Sequence, residues 1–269
     1  SMDADHLDIY GDEANLLETG FRAFARKVKP GGHLWVRQGL ATHFEKIDNL
    51  KEFAVEGGDY RSENVRVEEG LFVFDYKSPT HHLKGLQFPL PGRHNVENAT
   101  AAISVALHLG ISENDIRKGL ATFKGIKRRF EFLVRKPDVV YIDDYAHHPS
   151  ELNAAIDAAR QLFPDKKITG VFQPHLFSRT RDFATGFAQA LDQLDEVLLL
   201  DIYPARELPI AGVDSAMLAR LMKKEQVTLL NKDALMEALK NRQPEVLMTL
   251  GAGDIDTFRE PIRKMLSNC

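Results

Sequence analysis

The chain has 269 residues, of which 43% are hydrophobic and 28% charged, a composition typical of soluble globular proteins. Its 35 Lys and Arg against 39 Asp and Glu give a net charge of -4, so no basic excess indicates nucleic acid as a partner. The single cysteine, Cys269, excludes a disulfide framework within the chain and fits the cytoplasm. We find neither a signal peptide nor an apolar run long enough for membrane insertion, and therefore expect a cytoplasmic protein.

The first residues indicate a cation site. Ser1-Met2 resembles a cloning remnant, so we expect the chain to begin inside a longer protein. Asp3, Asp5, His6 and Asp8 then place three carboxylates and an imidazole in a short stretch, a set of ligands that suits a hard cation. The alternative is a solvated acidic N-terminus.

The pattern then predicts a helix followed by a small sheet. Residues 13–28 carry apolar side chains at helical spacing, and a short strand follows at 34–36. From residue 50 to residue 90, short apolar or alternating segments separated by turn residues predict antiparallel hairpins. Turn residues 91–98 then lead into a helix over 99–109. Asn95 and Asn98 are three residues apart and would share a helix face, where two amides can hydrogen-bond a purine edge. N-capping by one of them is the alternative.

From Glu131 onward strands and helices alternate. This rhythm predicts a mainly parallel, doubly wound α/β sheet, and we place the domain boundary between residues 126 and 127. The stretch VVYIDDYAHHPSE, residues 139–151, combines a buried strand with a helix start at Pro149. Its polar residues should lie on the strand-to-helix turn at the carboxyl edge of the sheet, where open α/β sheets bind ligands. An ordinary loop with solvated polar residues is the alternative. The residues concerned are Asp143, Asp144, Tyr145, His147 and His148.

Other strand ends carry polar groups to the same edge. They are Gln173-Pro174-His175 with residues 178–181, Asp201 with Tyr203 and Arg206, and residues 251–254. Arg128 and Arg129 at the domain boundary could clamp a phosphate or could be surface charges. No glycine of the chain is followed by lysine, so its 269 residues contain no Walker A loop.

Taken together, these motifs resemble the Mur ligases of peptidoglycan synthesis. The resemblance covers the chain in order, and the segments DDYAHHP, QPH with SRTRD, and ELPIAGVDS favour the member of the family that adds L-alanine to UDP-N-acetylmuramate. It implies that residues 1–126 are part of a P-loop-type, ATP-binding central domain with a small antiparallel sheet, and that residues 127–269 are the Rossmann-like C-terminal domain. The motifs are residues 3–8, 92–102, 128–130, 143–151, 173–181 and 251–254.

The resemblance also implies a reaction and its cofactors. ATP with Mg²⁺ would convert the carboxylate of UDP-N-acetylmuramate to an acyl phosphate, which the amine of L-alanine attacks. His6 would be a magnesium ligand, and His94, Asn95 and Asn98 would lie at the adenine. Arg129 and Asp144 would bind the nucleotide after domain closure. The pocket for alanine and the muramoyl group would consist of Tyr145, His147 and Arg179, with Arg179 paired to the alanine carboxylate.

One departure and two alternatives accompany the resemblance. Many relatives have a basic residue after QPH, where this chain has Leu176, so Arg179 or Arg181 would bind the carboxylate without that help. The alternatives are a recycling ligase that attaches a murein tripeptide to UDP-N-acetylmuramate and a non-catalytic nucleotide-binding module. We expect the chain alone to be inactive, since it has no P-loop, and an open sheet edge in its first domain could pair with a second copy.

Overall fold

The computed structural model describes residues 2, 7–44, 47–224 and 226–267, and the chain divides into two compact units. The first unit comprises Ser1–Pro89 and Arg93–Phe123, and the second comprises Leu90–Gly92 and Lys124–Cys269. The predicted boundary between residues 126 and 127 stays a prediction. No helix among the described residues is long and apolar enough to cross a membrane.

The first unit begins with a segmented helical stretch. Its parts are α1 (Leu7–Tyr10), α2 (Glu13–Asn15), a π-helical segment (Leu16–Arg22) and α3 (Ala23–Ala25). Asp12 caps α2 by accepting a hydrogen bond from the backbone N–H of Asn15. The predicted helix over 13–28 therefore begins where expected but ends earlier. The reason is that the N–H groups of Lys27 and Val28 bond to carbonyls three residues back, which tightens and ends the last turn.

The sheet of the first unit has five strands in the order β1-β2-β3-β4-β5. Antiparallel pairing over residues 50–90 is confirmed for β3 to β5, but β2 runs parallel to both β1 and β3. Glu56, Gly57 and Gly58 all have positive φ, so the chain turns sharply after β2 and restarts in the same direction. The strands are β1 (Leu34–Arg37), β2 (Leu50–Val55), β3 (Tyr60–Glu68), β4 (Leu71–Lys77) and β5 (His82–Phe88).

Two helices complete the first unit, α4 (Arg93–His108) and α5 (Glu113–Ala121). Buried side chains of α4 face the sheet, and hydroxyl pairs fix its position. Ser62 and Thr100 lie 2.6 Å apart, and the Tyr76 hydroxyl lies 3.0 Å from that of Ser104. Because α4 begins at Arg93, six residues before the predicted start, Asn95 and Asn98 both lie within its first two turns.

The second unit is the predicted doubly wound α/β sheet. Its six strands have the order β10-β9-β8-β11-β7-β6, and all pairings are parallel except β6 with β7. The strands are β6 (Glu131–Arg135), β7 (Val140–Asp144), β8 (Ile168–Phe172), β9 (Glu196–Leu200), β10 (Val227–Leu230) and β11 (Val246–Leu250). The helices are α6 (Pro149–Leu162), α7 (Phe177–Asp182), α8 (Ala184–Leu191), α9 (Ser215–Leu221), α10 (Leu235–Arg242) and α11 (Arg259–Ser267).

Helices cover both faces of this sheet. Val140 and Ile142 of β7 pack in one cluster with α6, α8 and α9, whereas Tyr141 packs in a second cluster with α10 and α11. The alternation follows from the period of two in a strand, and the strands read as apolar runs because both faces are buried. The chain passes from β7 to β10 in one direction and then returns to insert β11 between β7 and β8. This reversal is the topological switch point, and ligands bind at the carboxyl ends of such strands.

Candidate active site

A buried carboxylate anchors the carboxyl edge of the second sheet. Asp143, at 0% side-chain exposure, lies 3.1 Å from Arg128 Nε and 2.9 Å from Arg259 Nε, and accepts a 2.6 Å hydrogen bond from the Thr249 hydroxyl. Arg128 also donates from Nη2 to the carbonyl of Gly251, at 2.6 Å. The segment before β6 is therefore fixed to the ends of β7 and β11. Arg128 therefore has a structural role at this edge.

The neighbouring Asp144 holds the loop around it through its two carboxylate oxygens. One oxygen accepts from the backbone N–H of Phe130 at 2.7 Å, and the other accepts from that of Ala146 at 2.8 Å. Burial raises the pKa of Asp144 to about 6, although these two hydrogen bonds and the charge of Arg129 oppose the increase. Further contacts to Asp144 would have to use the remaining lone pairs of oxygens that already accept one bond each.

Glu151, in the first turn of α6, contacts two of the predicted site residues. Its Oε1 accepts from Arg129 Nη1 at 3.3 Å, and its Oε2 accepts from the backbone N–H of His147 at 3.0 Å. The same Oε2 lies 3.1 Å from Nδ1 of the His147 ring. Burial would raise the pKa of Glu151, but the hydrogen bonds from His147 and the charges of His147 and Arg129 lower it to about 2. Glu151 is therefore ionised at neutral pH.

Tyr145 lies between the two arginines and the histidines. The guanidinium carbons of Arg128 and Arg129 are 5.0 and 5.6 Å from the centre of its ring, within range of cation–π attraction. Its backbone N–H donates to the carbonyl of Arg128 at 2.7 Å. The ring of His147 meets that of Tyr145 edge-on at 5.2 Å between centres.

A row of rings continues from His147 to the ends of β8 and β9. The ring of His175 lies 6.1 Å from that of His147 and 5.7 Å from that of Tyr203, on which it stacks. Nη1 of Arg179, a residue that is only 9% exposed, donates to Nδ1 of His175 at 3.3 Å. Burial, with the charges of Arg179, His147 and Arg206, lowers the pKa of His175 to about 4. The imidazole of His175 is therefore neutral at physiological pH.

The loop after β9 fixes the loop after β8. Tyr203 donates from its N–H to Pro174 O at 2.8 Å and accepts at its carbonyl from the N–H of Leu176 at 2.9 Å. Glu207 accepts from the N–H of Ser178 at 2.9 Å and from its hydroxyl at 2.5 Å. Ser178 directly precedes Arg179, so these contacts set the start of the short helix α7 that carries the arginine.

The side chain of Leu176 is part of the packed interior of the second unit. Its side chain is only 5% exposed, so it packs into the unit, and its backbone adopts a left-handed φ of 70°. An apolar side chain therefore occupies the position where the resemblance to the family predicts a basic one.

The glycine pair after β11 allows a close approach to β8. A Cβ atom on Gly251, whose φ is 139°, would lie 2.6 Å from the carbonyl oxygen of Gln173. A Cβ on Gly253 would lie 2.4 Å from Gln173 Oε1, which accepts from the N–H of Ile255. The side-chain amide of Gln173 also donates to Asp254 Oδ1 at 2.8 Å.

The structure therefore brings together the five predicted residues that lie in the second unit. Tyr145 and His147 adjoin one another, Arg129 lies beside them, Asp144 holds their loop, and Arg179 joins them through His175. Four further residues of this cluster had no predicted role in the site. The pattern of polar strand ends included two of them, His175 and Tyr203, and Arg206, which is the neighbour of a third. The four are Glu151, His175, Tyr203 and Glu207.

The remaining predicted site residues lie elsewhere. In the first unit, His94 and Asn98 are exposed near the start of α4, and Asn95 is half-buried beside them. His6 lies outside the described residues, with Asp3 and Asp5. Within the described ranges, no group of three or more His, Cys, Asp or Glu side chains is arranged to hold a metal ion.

Two family models match the chain. The Mur ligase middle domain matches residues 1–106, and the model described as Mur ligase, glutamate ligase domain matches residues 128–253. This chain belongs to the Mur ligase family. Both matched segments contain predicted site residues, since the first includes the start of α4 and the second includes the carboxyl edge of the second sheet.

Curated Mur ligases and solved structures agree with this assignment. UDP-N-acetylmuramate–L-alanine ligases of Flavobacterium psychrophilum and Christiangramia forsetii are 48% and 47% identical over 266 residues, which are 99% of this chain and 58% of each relative. The chain thus spans 58% of the length of these relatives.

Among solved structures, MurC from Thermotoga maritima superposes with a TM-score of 0.78 at 24% identity, over 99% of this chain and 58% of that one. MurF from Thermotoga maritima, crystallised in complex with ADP, superposes with a TM-score of 0.72 at 20% identity, over 99% of this chain and 61% of that one. At these identities the likeness shows that the fold is the Mur ligase fold.

Proposed function

We propose that this chain belongs to an ATP-dependent ligase that joins L-alanine to UDP-N-acetylmuramate in the cytoplasmic stage of peptidoglycan synthesis. The observation that carries the proposal is the row of Tyr145, His147 and His175 at the carboxyl edge of the second sheet, with Arg179 behind it. The sequence identity to curated L-alanine ligases supports the choice of amino acid.

The second unit would receive the amino acid. Arg179 supplies a cation for the alanine carboxylate, and its guanidinium is held by His175, which is neutral and accepts its hydrogen bond. Because the imidazole is neutral, its Nδ1 lone pair can accept this hydrogen bond and orient the guanidinium, which keeps its positive charge for a carboxylate. His147 and Tyr145 would flank the amino group and the muramoyl end of the other substrate.

In the proposed reaction, ATP phosphorylates the muramoyl carboxylate, and the alanine nitrogen attacks the carbonyl carbon. ADP leaves in the first step, and the attack forms the new C–N bond in a tetrahedral intermediate. The C–O bond to phosphate then breaks, inorganic phosphate leaves, and the nitrogen gives up its proton to solvent. Negative charge develops on the carbonyl and phosphoryl oxygens, so cationic groups directed at them provide most of the stabilisation. Arg129, with 49% of its side chain exposed, is the arginine of the pair that can turn toward a phosphate. Arg128 is held by Asp143 and Gly251.

The start of α4 would bind the base of the nucleotide. Asn95 and Asn98 lie on one helix, three residues apart, and their amides offer donors and acceptors for the adenine edge. His94 would lie beside the ring. Asp144 would contact the nucleotide only through lone pairs that its bonds to Phe130 and Ala146 leave.

We assign no described residue to magnesium. His6 remains a prediction, and the described part of the chain has no metal-binding cluster. Magnesium, when bound, would offset the negative charge of the ATP phosphates.

Calorimetric titration with ATP and magnesium tests the proposed nucleotide site. We expect weak binding that Asn98→Ala and Arg129→Ala each abolish. Asn241→Ala and Arg263→Ala change an exposed asparagine and a half-buried arginine on other helices and should leave binding intact. Equal affinity in the parent chain and in both site variants would contradict the assignment.

A turnover assay tests the expectation that the chain alone is inactive. We expect no phosphate release from UDP-N-acetylmuramate, ATP and L-alanine, because no glycine of the chain is followed by the lysine that a Walker A loop requires. Release of phosphate that depends on all three substrates would contradict this expectation.

A further inference from the structure

Glu151 contacts residues of both parts of the proposed site. Its Oε1 accepts from Arg129, which we assign to the nucleotide, and its Oε2 lies at hydrogen-bond distance from His147, which we assign to the amino acid. The carboxylate is ionised, and half-buried between the two cationic or donor groups.

The surroundings of the His147 ring determine its tautomer. Nδ1 lies 3.1 Å from the backbone carbonyl oxygen of Tyr145 and 3.1 Å from Oε2 of Glu151. Both oxygens can only accept hydrogen bonds. If Nδ1 carried a lone pair, it would repel the lone pairs of these oxygens, whereas a proton on Nδ1 can be donated to them. In the neutral ring the proton therefore resides on Nδ1, and Nε2 carries the lone pair. The partner of one nitrogen thus determines the chemistry of the other.

Glu151 also limits how the ring can rotate. Oε2 of Glu151 accepts a hydrogen bond from the backbone N–H of His147 and also lies 3.1 Å from Nδ1 of the His147 ring. One oxygen therefore contacts both the main chain and the side chain of His147. The side chain of His147 is 13% exposed, and the rings of Tyr145 and His175 both meet its ring edge-on. A ring flip would place a carbon where the donor now lies, and would leave the ionised carboxylate without that bond.

We propose that Glu151 is a positioning residue, which keeps His147 as the Nδ1–H tautomer with Nε2 as the acceptor for the amino group of the incoming amino acid, and which holds Arg129 beside it. The identity of that ligand rests on the proposed function, but the tautomer and the contacts do not. A phosphate bound by Arg129 would compete with Glu151 for the guanidinium. When the nucleotide site is occupied, Glu151 would then lose its contact with Arg129 and keep only its contact with His147.

A purely structural role for Glu151 makes a different prediction. Glu151 is the third residue of α6 and accepts the N–H of His147, the residue that precedes the N-cap His148, so it also holds the start of the helix. If this were its whole role, replacing it would lower stability without changing the tautomer of His147. The two roles are therefore separated by measuring the tautomer.

Long-range ¹H–¹⁵N spectra of the ¹⁵N-histidine-labelled chain, at a pH where His147 is neutral, measure that tautomer. The signals of His147 are assigned by their loss in His147→Gln. We expect Nδ1–H to dominate in the parent chain. Glu151→Gln should reduce the ratio of Nδ1–H to Nε2–H about tenfold, because an amide can offer an N–H to Nδ1 and the charge-assisted bond is lost. Asp157→Asn removes an exposed acid from the same helix and should leave the ratio unchanged.

Two results would overturn the proposal. One is a parent chain in which His147 carries its proton on Nε2, and the other is an equal ratio in Glu151→Gln and Asp157→Asn. Should Glu151→Gln fail to fold, Glu151→Asp keeps the charge but withdraws it by one methylene, and an unchanged ratio there counts equally against the proposal.

A titration with L-alanine separates this inference from the proposed function. We expect Glu151→Gln to weaken L-alanine binding about tenfold, in step with the tautomer ratio. A parent chain that shows the Nδ1–H tautomer but binds no L-alanine would contradict the proposed acceptor while leaving the positioning role of Glu151 standing. If the parent chain binds L-alanine but the tautomer ratio is unchanged in Glu151→Gln, the positioning role of Glu151 is contradicted and the proposed binding of L-alanine stands.

Discussion

The two regions to which we assign ligands differ in how much of their structure exists before a ligand arrives. At the start of α4, His94 and Asn98 are exposed on a helix that the sheet of the first unit supports from its buried face. At the carboxyl edge of the second sheet, Asp143, Asp144 and Glu151 hold the loops through hydrogen bonds and ion pairs. The first region presents side chains on a regular helix, whereas the second is built from irregular loops that need internal contacts to keep one geometry.

This difference indicates what a substitution should do in each region. On the helix, a ligand-contacting side chain can be removed with little effect on folding, because its backbone is fixed by the helix itself. In the loops, the same side chains both fix the backbone and form the site, so stability and binding should fall together.

Removal of the buried carboxylate should have the largest effect. Asp143→Ala leaves Arg128 and Arg259 without their shared partner in a buried position, which typically costs about 3–5 kcal/mol of unfolding free energy. Urea denaturation measures the loss. Asp165→Ala, at an exposed aspartate of the same unit, is the matched control and should cost less than about 0.5 kcal/mol. A loss below about 1 kcal/mol for Asp143→Ala would show that the network does not stabilise the edge.

A side chain at Gly251 should have the next largest effect. Gly251→Ala places a methyl group 2.6 Å from the backbone oxygen of Gln173 at a φ of 139°, so β8 and the loop after β11 must move apart. We expect a loss of about 2–3 kcal/mol in thermal or urea unfolding. Gly212→Ala, with a φ of 77° but no atom within 4 Å of the new methyl, isolates the backbone strain and should lose about 1 kcal/mol. Equal losses of stability in Gly251→Ala and Gly212→Ala would contradict the close approach of Gly251 to the backbone of Gln173.

The pH dependence of stability should reveal the lowered pKa of His175. Its folded-state pKa of about 4 lies below the ordinary value of 6.5, so between these values the unfolded chain binds a proton that the folded chain does not. Stability from this residue is therefore complete above pH 6.5 and is lost as the pH falls toward 4. In His175→Asn this loss disappears, so the stability difference between parent and variant should shrink from pH 7 to pH 5. A difference that is constant over that range would contradict the neutral imidazole.

The helix should tolerate its substitution best. Asn98→Ala replaces an exposed residue of α4 by a better helix former, so stability should stay within about 0.5 kcal/mol of the parent and could rise slightly. The same variant should lose ATP binding. A large loss of stability would mean that Asn98 supports the fold, and would remove the contrast between the two regions.

The sequence predicted the second unit well because its signals are strong. Long apolar strands such as Val140–Asp144, alternating with helices, admit few arrangements other than a doubly wound sheet, and polar strand ends must then meet at one edge. The parallel pairing of β2 was missed, because it depends on three successive positive φ values after the strand rather than on its residue pattern.

The contacts within the site were less predictable. Adjacent Arg128 and Arg129 are equivalent as a sequence, yet the side chain of Arg128 is 12% exposed beside Asp143 and that of Arg129 is 49% exposed beside Glu151. The distinction arises from a left-handed backbone at Arg128, with a φ of 61°, that sends the two side chains in different directions. The bridging of Arg129 and His147 by Glu151 likewise depends on side-chain conformations, which no spacing rule in the sequence encodes.

The central claim is that the carboxyl edge of the second sheet receives the amino acid through Arg179. Histidine-detected NMR during titration with L-alanine tests it most directly. The account predicts that signals of His147 and His175 shift together and saturate, and that the shifts vanish in Arg179→Gln while the signals of His33 and His108 in the first unit stay unchanged. Absence of shifts in the parent chain, or equal shifts in Arg179→Gln, would contradict it.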